Sequence, residues 1–453
     1  MASDLEQSKK PSRNMKKTFI SVGLAAVGAA SGSALHAQNM EAGATPKMWN
    51  VAATLRGFYD DNYAVANNKK GSFGFEFTPT VSANVDLKKT DIGIRYAFGM
   101  YYYLQRDDAG IDPIDYTHQA DLWLDHSFTE RWKLNVTDSL AIAQDPALLQ
   151  GGAPIRVNGD NVANRAKLNL HTDWTRQFST SAFYGNSVYN YSDSGVTNTP
   201  ANPSEGALLN RMEQNVGIDF QWTVNPETMV FVGYNYSWVR YDGSGEIHSP
   251  FDIYAFTPPS TYTFIRTAHY FSNSRDYNSH YGYLGVSHEF SPNLNAQARV
   301  GASYTDSFND PISPSTSLAP YADISVNYTY NPGCYLQVGL TQNVNSTDVV
   351  EPNATTGHLT QYVQGTSLYF DINHRFTPKL SGSLVGQYQY SSYENGKFSG
   401  TGDSQASVGI NLNYQINRHL SAEAGYNFEE LISDIQSRGN DRNRVYLGLS
   451  ANY

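Results

Sequence analysis

Asp91-Ile92-Gly93-Ile94-Arg95-Tyr96-Ala97-Phe98-Gly99-Met100-Tyr101-Tyr102-Tyr103-Leu104 is the stretch whose reading decides the fold. Ile92, Ile94, Tyr96, Phe98, Met100, Tyr102 and Leu104 occupy every second place, with Gly93, Arg95, Ala97 and Gly99 between them. Successive side chains of a strand point to opposite faces, so one face here is continuously apolar and the other mostly small or charged. The same period returns at Val216, Ile218, Phe220 and Trp222, at Val230, Val232, Tyr234, Tyr236 and Trp238, and at Val408, Ile410, Leu412, Tyr414 and Ile416.

Working outward, eighteen such segments appear: 50–59, 72–87, 90–104, 115–128, 131–143, 164–174, 177–191, 209–223, 228–241, 277–290, 293–305, 319–330, 334–345, 361–376, 379–393, 404–416, 419–430 and 441–453. Their connections alternate between short and long. Lys88-Lys89, Thr129-Glu130, Ser291-Pro292 and Thr377-Pro378 are short; 60–71, 144–163, 242–276 and 346–360 are long. Short turns on one side, long loops on the other and an even strand count describe an all-β, transmembrane, antiparallel up-and-down β-barrel. The expected count is about 18, with 16 as the alternative. A soluble β protein of this many hairpins would have strand edges to protect.

Composition agrees. The chain has 33 Tyr, 21 Phe and 6 Trp, only 16% charged residues, and a mean hydropathy of −0.48. A barrel needs only every second residue apolar, so a polar mean and aromatic wealth fit together. Met15-Lys16-Lys17, an apolar stretch Phe19 to Ala30, and Ala34-Leu35-His36-Ala37 give the three-part layout of a secretory signal peptide. The expected division is a signal peptide with an N-terminal extension over 1–37, Met15 being the true start, a short periplasmic segment 38–49, and the barrel over 50–453. Removing the five Lys/Arg and two Asp/Glu of 1–37 takes the formal charge from −11 to −14, which argues against nucleic acid as a partner. The only cysteine is Cys334, so no disulfide can form within the chain.

The outward rows assign the inward ones. The pore-lining candidates are Arg95, Asp121, Asp125, Lys133, Arg165, Lys167, Arg211, Glu213, Asp219, Arg299, Arg375, Glu423 and Arg444. Barrels of 16–18 strands usually leave an aqueous lumen, so these charges would set solute preference. Asp138 falls on the outward row with Val136 and Leu140, and a carboxylate facing lipid is costly; a β-bulge or a local parity error is expected there. Loop 144–163, with Arg156 and Asp160, is the constriction candidate. Loop 242–276 carries Tyr254, Phe256, Tyr262, Phe264, Tyr270 and Phe271, expected to pack as a lid rather than to stack on sugar rings. His126, His288 and His374 recur beside short turns, which reads as a girdle at the membrane boundary rather than a metal site. No Gly-x-Ser-x-Gly or His-Glu-x-x-His occurs, so neither an enzyme nor a cofactor is expected.

Gly57-Phe58-Tyr59-Asp60-Asp61-Asn62-Tyr63, His118-Gln119-Ala120-Asp121-Leu122-Trp123-Leu124-Asp125-His126 and the aromatic-Thr-Pro turn resemble the β-barrel porin 2 family of bacterial outer-membrane proteins. The resemblance covers most of the chain and implies a porin-type barrel; some relatives accompany exopolysaccharide export. The C-terminal row Val445, Leu447, Leu449, Ala451 and Tyr453 is similar to the terminal signal that the barrel-assembly machinery reads, and strand addition is its physical basis. The expected function is passive diffusion of small hydrophilic solutes. The alternatives are an exopolysaccharide export component and a structural or adhesive surface barrel. Outer-membrane lipid, the assembly machinery and a second copy of the chain are the expected partners.

Overall fold

The computed structural model describes residues 48–453 apart from 107–111, 144–148, 151–152, 155–160, 193–197, 243–244 and 259. The expected signal segment and both constriction candidates, Arg156 and Asp160, lie outside the described residues.

Eighteen strands form one sheet. They are β1 (Trp49–Asp60), β2 (Ser72–Asp86), β3 (Thr90–Tyr103), β4 (Ile114–Ser127), β5 (Trp132–Ala143), β6 (Asn161–Asp173), β7 (Phe178–Tyr191), β8 (Arg211–Asn225), β9 (Thr228–Tyr241), β10 (Tyr277–Ser291), β11 (Leu294–Ser307), β12 (Ser315–Asn331), β13 (Cys334–Asn345), β14 (Thr360–Arg375), β15 (Leu380–Asn395), β16 (Gly402–Asn417), β17 (Leu420–Ser433) and β18 (Asn440–Asn452). Each pairs antiparallel with the next, from β1–β2 through β17–β18. β1 also pairs antiparallel with β18, from Ala52↔Asn452 to Asp60↔Arg444, so the sheet closes.

Closure leaves no edge whose backbone groups would meet hydrocarbon unpaired. The seam is reinforced on its inner face. Arg56 donates to Glu76 on β2 at 2.9 Å and to Glu423 on β17 at 2.5 Å, reaching across Gly448 of β18. Arg442 holds Asp60 at 2.5 Å near the outer rim. Gly448 has to be small, because a Cβ there would meet the Arg56 side chain.

The short turns share a local cause. Thr129 Oγ1 accepts from the N–H groups of Arg131 and Trp132, Thr175 Oγ1 from Gln177 and Phe178, and Thr377 Oγ1 from Lys379 and Leu380. Such side-chain turns replace the backbone bonds that the chain reversal gives up. The repeated histidines build one recurring unit beside these turns. His126, His288 and His374 meet Phe128, Phe290 and Phe376 edge-on at 4.6, 4.4 and 4.7 Å. Their Nδ1 atoms bond Thr90, Thr228 and Tyr330. The outer rows are exposed along most strands, as at Ile92, Ile94 and Tyr96 or Val445, Leu447 and Leu449.

Three features depart from expectation. β6 starts at Asn161, ahead of 164, because Asn161, Val162 and Ala163 continue its ladders. The expected irregularity at Asp138 is absent: it pairs with Leu122 and Ala166 in unbroken register, so it does face outward. Several register shifts sit beside the short turns instead, as between Thr223/Asn225 and Glu289/Ser291. The third departure is structure within the loops. A hairpin, Glu246–Thr257 with Thr261–Phe271, pairs with itself, and short helices span Glu205–Leu209 and Ser272–Arg275.

Candidate functional site: the lumen and its outer closure

The inner wall alternates with the lipid-facing wall along every strand, and most inward charges are engaged with a neighbour. Arg95 of β3 faces Asp121 of β4 at 3.6 Å, and Asp121 also accepts from Ser139 and Gln119. Asp125 accepts from Asn135 Nδ2 at 2.8 Å. Arg444 lies over the Phe58 ring at 4.1 Å. Arg299 lies between Asp219 (3.7 Å) and Asp323 (3.3 Å), and Tyr283 Oη donates to Asp219 at 2.6 Å. A guanidinium flanked by two carboxylates in a half-buried wall is held by geometry as well as charge.

Lys133 and His171 are cross-strand neighbours, and Lys167 stands opposite Thr137 and Gly185 on the same inner face. Arg165 donates to Tyr189 Oη at 3.3 Å. Arg375 lies at the periplasmic end of β14, where its N–H donates to Cys334 Sγ. Glu423 belongs to the Arg56 seam.

An aromatic cluster on the inner face of β9–β12 is not legible as a site from the sequence. Phe231, Tyr281 and Tyr283 are buried against Met229 and Tyr321, with Arg299 over the Phe231 ring at 5.1 Å. Glycines make room for such rings, since a Cβ at Gly285 would collide with Phe231 and one at Gly233 with Tyr283.

Chain folds into the outer half. The connection 346–359 between β13 and β14 folds inward: Ser346, Thr347, Val349, Val350 and Leu359 are all buried. Asp348 takes a forked bond from Arg438 at 2.8 and 2.7 Å, while Arg438 Nε donates to Asp403 at 2.7 Å. Burial works against the Arg438 charge, but Asp348 and Asp403 outweigh it and hold the guanidinium above its usual range. Arg275, fully buried, lies over Tyr241 at 4.4 Å and donates to the carbonyls of Leu208 and Thr347. Ser346 Oγ donates to Glu213, which also receives Arg211 Nε at 2.7 Å. Arg211 is 2% exposed and donates to the Leu209 carbonyl, so this pair anchors the in-folded segment rather than facing an open passage.

Ile247, Tyr270, Val350 and Leu359 form an apolar cluster under the mouth. Beside it lies a 470 Å³ cavity lined by residues that include Val65, Leu208, Asp348, Val350, Phe398 and Arg438.

The aromatics of 242–276 divide. Tyr270 is buried and donates from Oη to the Gly357 carbonyl at 2.5 Å. Tyr254, Phe256, Tyr262 and Phe264 are 52–69% exposed, in cross-strand pairs near the hairpin tip. The expected lid packing therefore holds at the hairpin base and fails at its tip, where the two strands pair with each other and leave the rings exposed. Among the described residues no cluster of three or more His, Cys, Asp or Glu could hold a metal ion.

The solved structures that resemble this chain include the outer membrane protein opdK from Pseudomonas aeruginosa, at 10% identity and a TM-score of 0.43, covering 89% of this chain and 99% of that one. A BenF-like porin from Pseudomonas fluorescens Pf-5 shares 11% identity with a TM-score of 0.43, over 89% and 99%. OccAB4 from Acinetobacter baumannii shares 12% with a TM-score of 0.37, over 90% and 98%. No curated protein matches the sequence. The family model described as "Putative beta-barrel porin 2" matches residues 48–453, the whole of the closed eighteen-strand sheet, and the chain belongs to that family of porin-like outer-membrane barrels.

Proposed function

We propose that the barrel passes small hydrophilic solutes by diffusion, with the in-folded segment 346–359 setting the narrowest part. The observation that carries this reading is the inner wall. It presents hydroxyls, amides and paired charges strand after strand, as in Arg95–Asp121, Arg299–Asp219 and Gln387–Ser367. A wall of that chemistry stabilises water and polar solutes against the apolar belt outside. The in-folded segment is held by polar, ionic and apolar side-chain contacts rather than by a covalent cross-link, so it can yield.

The test is planar-bilayer recording of the purified full-length chain, beside a variant whose residues 347–358 are replaced by a short Gly-Ser linker. Discrete conductance steps are expected from the native chain and larger ones from the variant. Silence from both at every voltage would end the diffusion reading.

A further inference from the structure

Asp138 is the sixth residue beyond Trp132 on β5, on the outward row with Leu134, Val136, Leu140 and Ile142. A strand tilted about 40° climbs about 2.5 Å per residue, which places this carboxylate about 15 Å above the periplasmic aromatic girdle. That is near the middle of an apolar belt about 25 Å tall. Asn164 Nδ2 donates to Asp138 Oδ1 at 3.0 Å, and Asn164 stands outward too, opposite Leu140. The ladder that starts at Asp138 runs through Ala166 to Asn186 of β7 and Gln214 of β8. One carboxylate and three amides thus form a diagonal row on four consecutive strands. Among the described residues Asn186 Oδ1 is buried without a hydrogen-bond partner.

The far wall is different. Ile410, Leu412 and Tyr414 of β16 and Leu447 and Leu449 of β18 are exposed and apolar. Hydrocarbon offers a polar group no hydrogen bond, and a carboxylate at mid-depth is costly there. Something other than acyl chains therefore covers the β5–β8 wall.

We propose that it is a second copy of this chain. The row complements itself: Asp138 as a carboxylate only accepts, while Asn186 and Gln214 each carry two amide donors. Gln214 Nε2 donates within its own wall to the weakly accepting Met212 sulfur. Copies inserted in the same direction carry this row over the same range of depths, and the two rows cross where the walls meet. Ala166 lies between Asp138 and Asn186 on this ladder, and its small side chain lets two backbones come close there. A foreign partner would have to supply donors that this wall already carries.

The test uses the full-length chain in nanodiscs of outer-membrane lipid. Native mass spectrometry is expected to show an oligomer, and Asp138→Leu combined with Asn164→Leu to reduce it at least tenfold while the barrel keeps its heat-modifiable mobility. In a Cys334→Ala background, Ala166→Cys is expected to cross-link into a species of twice the mass, and Ile410→Cys is not. A monomeric native chain, an oligomer unmoved by the double substitution, equal cross-linking at both positions, or a cross-link to a chain of another mass would each overturn the proposal. Should the double substitution prevent folding, the comparison of the two cysteine positions decides.

Discussion

Asp61, just outside β1, is pulled up by burial, yet the Asn443 N–H groups and the Lys69 ammonium win and hold its carboxyl below the usual value. The folded state therefore favours the ionised form. Its contribution is complete above the ordinary carboxylate pKa of about 4 and disappears as pH falls through the lowered folded value. Hydrogen exchange over residues 61–71 should accelerate in that acid window, and Asp61→Asn should remove the pH dependence; an unchanged profile in the variant would contradict this assignment. Arg438 is a stronger case. Its removal leaves Asp348 and Asp403 without their cation, and breaking such a buried pair costs about 3–5 kcal/mol. Arg438→Ala should loosen segment 346–359, giving faster proteolysis there and larger conductance with the barrel intact. Neither role is legible in the sequence. Arg438 lies 90 residues from Asp348, and nothing in Ser437-Arg438-Gly439 points to a distant carboxylate. The Val349-Val350 pair inside a polar loop is the available hint, since two adjacent valines in a long connection call for burial.

At the level of elements, strand positions are readable because each strand states its own two faces. The Thr and His–Phe units at the short turns are readable because they repeat. The hairpin within 242–276 escapes such reading because mainly its base, at Ile247 and Tyr270, packs against other chain, so its residues look like a generic aromatic loop. Among the described residues its tip strands pair with each other, and Arg266 donates to the Pro311 and Ile312 carbonyls. Excising residues 252–266 and joining the ends with a tight turn should leave folding and conductance within error of the native chain. A collapse of either would show that the tip braces the mouth. Segment 346–359 escapes it for the opposite reason: its place depends on partners from distant stretches of chain, such as Arg275 and Arg438, none adjacent in sequence.

For the whole molecule the decisive event is closure between the first strand and the last, with Asn50 and Asn452 meeting across 402 positions. Tyr453 joins that seam: its N–H donates to the Val51 carbonyl, its carbonyl accepts from the Val51 N–H, and its ring approaches Trp49 at 5.8 Å. Tyr453→Ser removes an aromatic contact of about 0.5–1.5 kcal/mol. It also removes the aromatic side chain of this seam on which we propose the assembly machinery acts. The expected outcome is a several-fold lower yield of assembled barrel in the outer membrane with unchanged conductance per molecule. Normal yield would separate Tyr453 from assembly.

The sequence by itself determined the strand count to within two, the order of short turns and long loops, and the face on which each charge stands. Period two is a local property, and unbroken antiparallel pairing carries it around the barrel without further choice. That is why the alternation alone places Asp138 outward, although the bulge expected to relieve it does not exist. The tertiary structure alone decided which inward charges meet, which segment folds into the outer half, and which aromatics of 242–276 are buried. Those outcomes depend on side chains converging from distant loops, and loop conformation is set by the contacts themselves rather than by any repeating pattern.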